Sequence, residues 1–251
     1  RPELTTNPDG VSNYLGTEVN ETVDNFPPLV TPAAMSIDAA SCPGLTAVQC
    51  RDRYLRWVVG LSNGTAYHRC PSPGVNCDLV GDIFRSTPRI VGRPSDLLRD
   101  ETYQLFAVNN TKRPVVLYTS TNDGMLRAFK VAAGDAADTF KVDSLRNNEL
   151  WSFIPPAVLP SLPSQYPGTH SVLLDGVPVV KDVVAILENN RFRFERSPSA
   201  AQSAQGTWRT VLVSGFGGSR GGYFALDVTE PAKGPKFLWQ VTEDASGQKL
   251  F

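Results

Sequence analysis

The sequence predicts an all-β fold of four-stranded sheets, preceded by an irregular segment that contains one α-helix. From about residue 81 onward, short β-branched or aromatic runs alternate with Gly, Pro, Asn and Asp, a texture typical of strands and turns. The chain has 20 Gly and 20 Pro, yet 41% of its residues are hydrophobic, so it combines many turns with enough apolar surface for a core. A set of four apolar segments also occurs twice in the same order.

Residues 1–80 form the predicted irregular segment. Prolines interrupt residues 1–41 at short intervals, which favours an extended chain over a helix or a continuous strand. One helix is predicted at about 48–61, because Tyr54, Leu55 and Val58 follow helical spacing and Asn63-Gly64 ends the pattern.

The chain has four cysteines, and all of them lie in this segment: Cys42, Cys50, Cys70 and Cys77. Their spacing fits none of the usual CxxC zinc patterns. Each neighbouring pair brackets turn residues, so disulfides Cys42–Cys50 and Cys70–Cys77 are the simplest prediction, although four cysteines allow three connectivities. Disulfides indicate an oxidising compartment, and the alternative is four free buried thiols in a cytosolic protein.

Residues 81–251 are predicted to hold the first blades of a β-propeller, at about 81–156 and 172–242, with long inserts between the strands. A four-stranded unit repeated in series is typical of a propeller, here of the quinoprotein-like kind. Two unrelated antiparallel sheets with chance similarity are the alternative. Propellers have typically 4 to 8 blades, so we expect the domain to be incomplete here and to continue beyond this chain. The matched segments are 87–91 with 177–180, 115–118 with 210–213, 124–129 with 221–227, and 150–153 with 238–241.

Residues 217–221 match the G-x-S-x-G motif of serine hydrolases, with Ser219 at the nucleophile position. That motif needs a helix after the serine, whereas residues 223–227 have a strand pattern. For the same reason the glycines do not fit a phosphate-binding loop at a helix N-terminus. A hairpin turn that requires positive φ is the preferred interpretation, and no catalytic residue is assigned.

The remaining polar motifs give little chemistry. His68 and His170 are the only histidines, and neither has a persuasive partner for acid–base catalysis. Residues 122–124 and 143–149 contain only fragments of a calcium loop and are better explained as turns. Four aromatic residues of the fourth strands are predicted to pack inside the sheets: Trp151, Phe153, Phe237 and Trp239.

The charge balance excludes some classes of partner. The chain has 24 Lys and Arg against 25 Asp and Glu, a net charge of -1, which gives no electrostatic basis for binding nucleic acid or an anionic membrane. No apolar run approaches the roughly 18 residues of a membrane span. The first residues lack the apolar region of a signal peptide, so an export signal is expected elsewhere.

The residues at 81–88 resemble the propeller domain of the PilY/PilC-type type IV pilus tip adhesins and assembly proteins. The resemblance extends over about residues 48–251, and several long motifs in order are more specific than one. The further matching segments are 122–129, 150–156, 175–183, 208–231 and 237–239.

This resemblance implies a bacterial extracellular protein at the pilus tip or outer-membrane surface, which acts with minor pilins in pilus biogenesis. It also implies adhesion to a host or abiotic surface and twitching motility, and no enzyme. Relatives in this family have a calcium-binding D-x-D-x-N loop. No such loop is found in this chain, so calcium is a possible cofactor with its site expected downstream, and no metal or cofactor-binding residue is assigned.

The competing interpretation is a PQQ-type quinoprotein dehydrogenase, whose propeller has a similar four-strand repeat with a terminal Trp. That chemistry needs a quinone pocket and a metal, and often a disulfide between adjacent cysteines. No two cysteines are adjacent here. A hydrolase based on Ser219 is the third and weakest interpretation.

Overall fold

The computed structural model is mostly β structure. It describes residues 4–5, 30–38, 40–58, 80–132, 142, 148–166, 169–188, 191–193, 207–218 and 220–250. These residues contain helices α1 (Ala47–Val58) and α2 (Glu101–Asn109) and three 3₁₀ helices (Ala33–Met35, Pro156–Gln165 and Pro231–Lys233). The strands are β1 (Leu4–Thr5), β2 (Arg89–Val91), β3 (Val115–Thr121), β4 (Met125–Ala132), β5 (Glu149–Phe153), β6 (Val179–Glu188), β7 (Arg191–Arg193), β8 (Thr207–Gly215), β9 (Tyr223–Asp227) and β10 (Lys236–Val241).

The strands form two sheets, which confirms the all-β prediction. In the first sheet β2, β3, β4 and β5 are successive antiparallel neighbours, and β1 adds a parallel strand beside β5. In the second sheet β6, β8, β9 and β10 are successive antiparallel neighbours, and β7 pairs with the end of β6. Each sheet is therefore built around four antiparallel strands in chain order. The described residues form no closed ring of sheets.

The two sheets share their strand register. The four segment pairs matched in the sequence fall on equivalent strands: β2 with β6, β3 with β8, β4 with β9, and β5 with β10. The central alanines of β4 and β9 have equivalent neighbours on both sides. The matching rows are Tyr118–Ala128–Trp151 in the first sheet and Val213–Ala225–Trp239 in the second.

Both sheets also have a β-bulge at the same place in the fourth strand. In β5 the pairing shifts between Glu149 and Trp151, and in β10 it shifts between Phe237 and Trp239. A bulge inserts one unpaired residue, so residues two apart across it point to opposite faces. Each sheet consequently has one face that carries the tryptophan of its fourth strand, which we call its Trp face.

The sheets stack with the Trp face of the first against the opposite face of the second. The Phe153 ring lies 5.9 Å from the Phe237 ring, centroid to centroid. Trp151 Nε1 donates a hydrogen bond of 2.9 Å to the backbone oxygen of Pro231, in the β9–β10 connection. Trp151, Phe153 and Phe237 are buried, as predicted. Trp239, on the outward Trp face of the second sheet, is only half-buried.

Helix α1 packs beside the end of the first sheet, near its predicted position. Tyr54, Leu55 and Val58 are buried, and the Tyr54 ring meets Tyr166 edge-on at 5.2 Å. The segment between is the 3₁₀ helix Pro156–Gln165, whose apolar side chains belong to the same continuous core as α1 and both sheets. The sequence predicts long inserts between the strands, and the described part of the insert that follows β5 is a core element.

Helix α2 is a correction to the prediction of a single helix. It lies in the connection between β2 and β3, and Asp100 caps its N-terminus by accepting hydrogen bonds from the backbone nitrogens of Thr102 and Tyr103. Tyr103 and Phe106 are buried and their rings contact Trp208 of β8. The helix was missed because its apolar residues do not fall on one face. None of the described helices is long and apolar enough to cross a membrane.

Candidate interaction sites

The G-x-S-x-G segment connects β8 to β9. Ser219 itself lies outside the described residues. Gly217 has φ 97° and Gly222 has φ 110°, and the Gly218 nitrogen donates a 2.8 Å hydrogen bond to the buried carboxylate of Asp175. Strand β9 follows directly, so the serine position is followed by a strand and not by the helix of a nucleophile elbow. The hairpin prediction, with glycines at positive φ, is confirmed.

The cysteine predictions fall on both described and undescribed residues. Cys42 and Cys50 form a disulfide with their Cα atoms 5.7 Å apart, and both residues are buried in the core next to α1. The bridge fastens the chain before α1 to the first turn of the helix. Cys70 and Cys77 lie outside the described residues, so their pairing stays a prediction.

His68 lies outside the described residues. His170 lines an open cavity of about 370 Å³ at the end of the first sheet. Its Nε2 atom is 2.8 Å from Asn122 Nδ2 and 3.3 Å from the Asp82 carboxylate. The Gln165 carboxamide lies at the base of this cavity, with its Oε1 atom buried and without a hydrogen-bond partner. Within the described part of the chain, the side chains that His170 Nε2 contacts are those of Asn122 and Asp82, and neither is a hydroxyl or thiol nucleophile.

The 122–124 segment is the tight turn between β3 and β4. The Asp123 carboxylate in this turn already accepts hydrogen bonds from other groups of the protein. Gly124 has φ 90°, and Asp123 accepts hydrogen bonds from Arg127 Nη2 at 2.7 Å and from the Gly81 nitrogen at 3.2 Å. No cluster of three or more acidic, His or Cys side chains suited to a metal occurs within the described ranges, which omit most of 143–149.

Arg127 forms a buried ion-pair network that sequence reasoning missed. Its guanidinium contacts Asp123 at 2.7 Å and Glu149 at 2.8 Å, and all three side chains are buried. Burial acts to lower the pKa of Arg127, but the two carboxylates outweigh it and the net pKa is raised. The arrangement ties the β3–β4 turn to β5, and its role is therefore structural.

A second polar network joins the α2 insert to the second sheet. Tyr103 donates a 3.0 Å hydrogen bond to Asp182 Oδ2, and Thr210 donates one of 2.6 Å to Asp182 Oδ1. Arg113 donates to the Thr210 hydroxyl at 2.5 Å and to the Gly92 backbone oxygen at 2.8 Å. Burial raises the pKa of Tyr103 to about 12. A cavity of about 150 Å³ between β2 and β6 is bordered by four of these residues, Gly92, Arg113, Asp182 and Thr210.

The Trp face of the second sheet is an exposed apolar surface. Val179, Val213, Ala225 and Trp239 form one row across its four strands. Val179 is 57% exposed, and Tyr223 and Val241 in the adjacent row are 56% and 43% exposed. The equivalent face of the first sheet is covered by the second sheet. The exposure of this face is therefore a difference between the two units.

Comparison with known proteins gives one consistent group of relatives. The type IV pilus biogenesis factor PilY1 of Pseudomonas aeruginosa is 31% identical over 178 residues, which cover 66% of this chain. The PilY1 homolog of Xylella fastidiosa is 29% identical over 178 residues, which cover 67%. The chain is related to the PilY1-type type IV pilus proteins. It spans only 12% of the length of each of these relatives.

A solved structure of a PilY1 domain shares sequence with the chain. The crystal structure of the P. aeruginosa PilY1 C-terminal domain is 28% identical, and the match covers 61% of this chain and 24% of that one, with a TM-score of 0.37. No protein-family model matches the chain.

Proposed function

We propose that this chain is part of a non-enzymatic type IV pilus biogenesis factor, located outside the bacterial cell at the pilus tip or outer-membrane surface. The carrying observation is the similarity to PilY1 proteins, which are named type IV pilus biogenesis factors. Their matching region is a small part of a longer protein, so the function belongs to the whole and this chain contributes a scaffold to it.

We infer that the scaffold is a β-propeller, with one blade in about 81–156 and another in about 172–242. The support is the way the two sheets stack. The Trp face of one unit packs on the opposite face of the next, which is a head-to-tail contact between equivalent units. A head-to-tail contact can be repeated, and it closes into a ring when the rotation per unit allows. The exposed Trp face of the second sheet would then receive the next blade.

The partners follow from the pilus role. Minor pilins at the pilus tip are the expected protein partners, and adhesion to a host or abiotic surface and twitching motility are the expected outcomes. Calcium binding in the longer protein is part of this proposal and rests on the resemblance alone. Residues 1–80 are proposed to be an irregular N-terminal segment that contains the Cys42–Cys50 bridge and packs on the core of the sheets.

A non-enzymatic role is supported by the positions of the two motifs that resemble a catalytic or a calcium-binding sequence, because both lie in turns between strands. The G-x-S-x-G segment serves as the β8–β9 turn, the 122–124 segment serves as the β3–β4 turn, and Asp175 holds the first of these through the Gly218 nitrogen. Nothing in the described residues or in the relatives named above supports the quinoprotein alternative.

The experiment is an in-frame deletion of residues 81–251 from the full-length gene in its own host. We expect surface pili and twitching to fall severalfold relative to the parent strain, while secretion of the major pilin to the periplasm is unchanged. The matched control is a strain that carries the exposed substitution Lys233→Gln in the same gene, which leaves the scaffold intact. Pili would be counted by electron microscopy and by shearing.

The same deletion would also be made in a strain that cannot retract its pili. Restored piliation there would identify a role in opposing retraction, and absent piliation there would identify a role in assembly. Both results support the proposal. Parental numbers of pili and parental twitching and adhesion in the deletion strain would overturn it.

A further inference from the structure

We propose that the cavity between β2 and β6 binds a single oxyanion group, a carboxylate or a phosphate. The cavity has a volume of about 150 Å³ and is lined by four cationic side chains, Arg89, Arg93, Arg113 and Lys181, against two carboxylates, Asp96 and Asp182. The local charge is therefore positive, although the whole chain has a net charge of -1. A concave site with one sign of charge concentrates ions of the opposite sign.

Arg113 supplies the first reason that this cavity is a site and not merely a solvated surface. Only 7% of this residue is exposed. Its hydrogen bonds go to neutral oxygens, those of Gly92 and Thr210, and it forms no direct ion pair with a carboxylate of any described residue. A buried cation without a direct counter-charge is energetically costly. An anion in the adjacent cavity would offset that cost.

Asp182 does not remove this positive charge. Its carboxylate accepts hydrogen bonds from the Tyr103 and Thr210 hydroxyls and is separated from the Arg113 guanidinium by the Thr210 oxygen. Asp182 therefore reaches Arg113 only through the Thr210 hydroxyl, and its single negative charge balances one of the four cations around the cavity. Asp96 is exposed and is the second carboxylate. The two acids therefore leave two cations of the four uncompensated.

The other three cations are free to bind a ligand. Arg89, Arg93 and Lys181 are exposed, and none of them makes an ion pair within the part of the chain that the structure describes. Guanidinium groups bind carboxylate and phosphate through two parallel hydrogen bonds, and a lysine adds a point charge. Arg89 of β2 and Lys181 of β6 thus bring cationic residues from two different sheets to the lining of one cavity.

The size of the cavity limits the ligand. A cavity of about 150 Å³ holds a group the size of benzene, or about five waters at roughly 30 Å³ each. One phosphate or one carboxylate with its hydration fits, and a polymer chain does not. The anionic group can come from a small molecule in solution or from an acidic side chain of a protein partner.

The test is a calorimetric titration of the purified chain with inorganic phosphate, at ionic strength held constant with sodium chloride. The site variant is Arg93→Gln with Lys181→Gln, two exposed positions whose substitution leaves the Arg113 network in place. The matched control is Arg99→Gln with Lys236→Gln, which removes the same charge at exposed positions outside the cavity. We expect the site variant to weaken phosphate binding at least tenfold and the control to change it less than twofold.

A second titration uses a tetraglutamate peptide in place of phosphate. Peptide binding at least tenfold tighter than phosphate, and lost in the site variant, identifies an acidic protein segment as the source of the anion. Phosphate binding as tight as or tighter than the peptide identifies a small free oxyanion. If neither ligand gives saturable binding that the site variant weakens more than the control, the proposal is wrong.

Discussion

Arg127 is the residue on which the interior of the first sheet depends most. Arg127→Met keeps the apolar stem but leaves the buried carboxylates of Asp123 and Glu149 without their counter-charge. Breaking a buried ion pair in this way costs about 3 to 5 kcal/mol of unfolding free energy, measured by urea denaturation. The control Lys233→Met removes the exposed pair with Glu230, worth about 0 to 1 kcal/mol.

A compensating variant separates lost charge from lost packing. Adding Asp123→Asn and Glu149→Gln to Arg127→Met removes the two negative charges that Arg127 had balanced, so we expect it to recover part of the lost stability. A triple variant less stable than Arg127→Met would show that the carboxylates are not the cause of the loss.

Tyr103 gives the molecule a predicted alkaline sensitivity. Burial raises its pKa from 10.0 to about 12, so the folded state favours the neutral phenol. Its contribution to stability is complete below pH 10 and is lost as the pH rises from about 10 to about 12. Tyr103→Phe removes this titrating group. The unfolding free energy of the variant should therefore fall less over this pH range than that of the parent protein, by about 1 to 2 kcal/mol, given roughly 1.4 kcal/mol per pKa unit.

The comparison for Tyr103→Phe is Tyr223→Phe, which removes a hydroxyl from a side chain that is 56% exposed. Unfolding free energies at pH 9 and pH 11.5 would be measured for both variants and the parent. Equal pH slopes in the parent and in Tyr103→Phe would contradict the assigned origin of the sensitivity.

For single residues, the sequence predicts burial better than it predicts the partners in hydrogen bonds and ion pairs. Trp151, Phe153 and Phe237 were correctly predicted to be buried because of their aromatic composition, whereas Trp239 is half-buried because the bulge turns it to the opposite face from Phe237. Arg127 and Arg113 were missed because an arginine is normally at the surface. Two of their partners, Glu149 and Thr210, lie on other strands, and no local spacing indicates those contacts.

The β8–β9 turn is the element most sensitive to a single methyl group. Gly217 has φ 97°, and a Cβ there would overlap the Asp175 carboxylate. Gly217→Ala should therefore add a steric clash to the backbone cost of about 1 to 2 kcal/mol for a left-handed residue. Gly247→Ala is the matched control, because Gly247 has φ 82° but open space around it.

The two glycine variants would be compared by thermal unfolding. We expect Gly217→Ala to lower Tm by several degrees more than Gly247→Ala, and the difference reports the overlap with Asp175. Equal Tm values for the two variants would show that the turn relaxes without cost.

The Cys42–Cys50 bridge should stabilise its own element and not the sheets. It closes a shorter loop than the 15-residue loop for which chain entropy gives about 3 kcal/mol, so Cys42→Ser with Cys50→Ser should cost less than this. Hydrogen exchange should accelerate in α1 and stay unchanged in β3 and β4. Faster exchange throughout both sheets would contradict this local role.

The predicted Cys70–Cys77 pair would be tested separately, by non-reducing peptide mapping.

Among the elements, the strands and the tight turns were predictable, and the structure of the long connections was not. The strands have a pattern of alternating residues that is visible in one four-stranded unit and occurs again in the second. Helix α2 is short and apolar on several sides, and its clearest sequence signal is the Asp100 cap. The 3₁₀ helix Pro156–Gln165 contains internal prolines at 160 and 163. Because prolines interrupt a regular α-helix, the sequence predicts a loop there.

At the scale of the whole molecule, the exposed Trp face of the second sheet makes the propeller proposal testable. Hydroxyl-radical footprinting should label Tyr223 and Trp239 strongly in this chain and weakly in the longer native protein, where a further sheet would cover them. Trp151 serves as the control, because it is buried between the two sheets in either case. Equal labelling of Tyr223 in both proteins would contradict the covering sheet.

The bulge at the same position in β5 and β10 has a consequence for how such a protein changes over time. The two units share a strand order and the position of this bulge, and in the proposed propeller each would pack on its neighbour through equivalent faces. Unequal recombination within the gene can then add or remove a whole unit without creating a mismatched contact. The long connections between strands are free to diverge, so inherited variation should accumulate in the inserts while the stacked faces keep their shape.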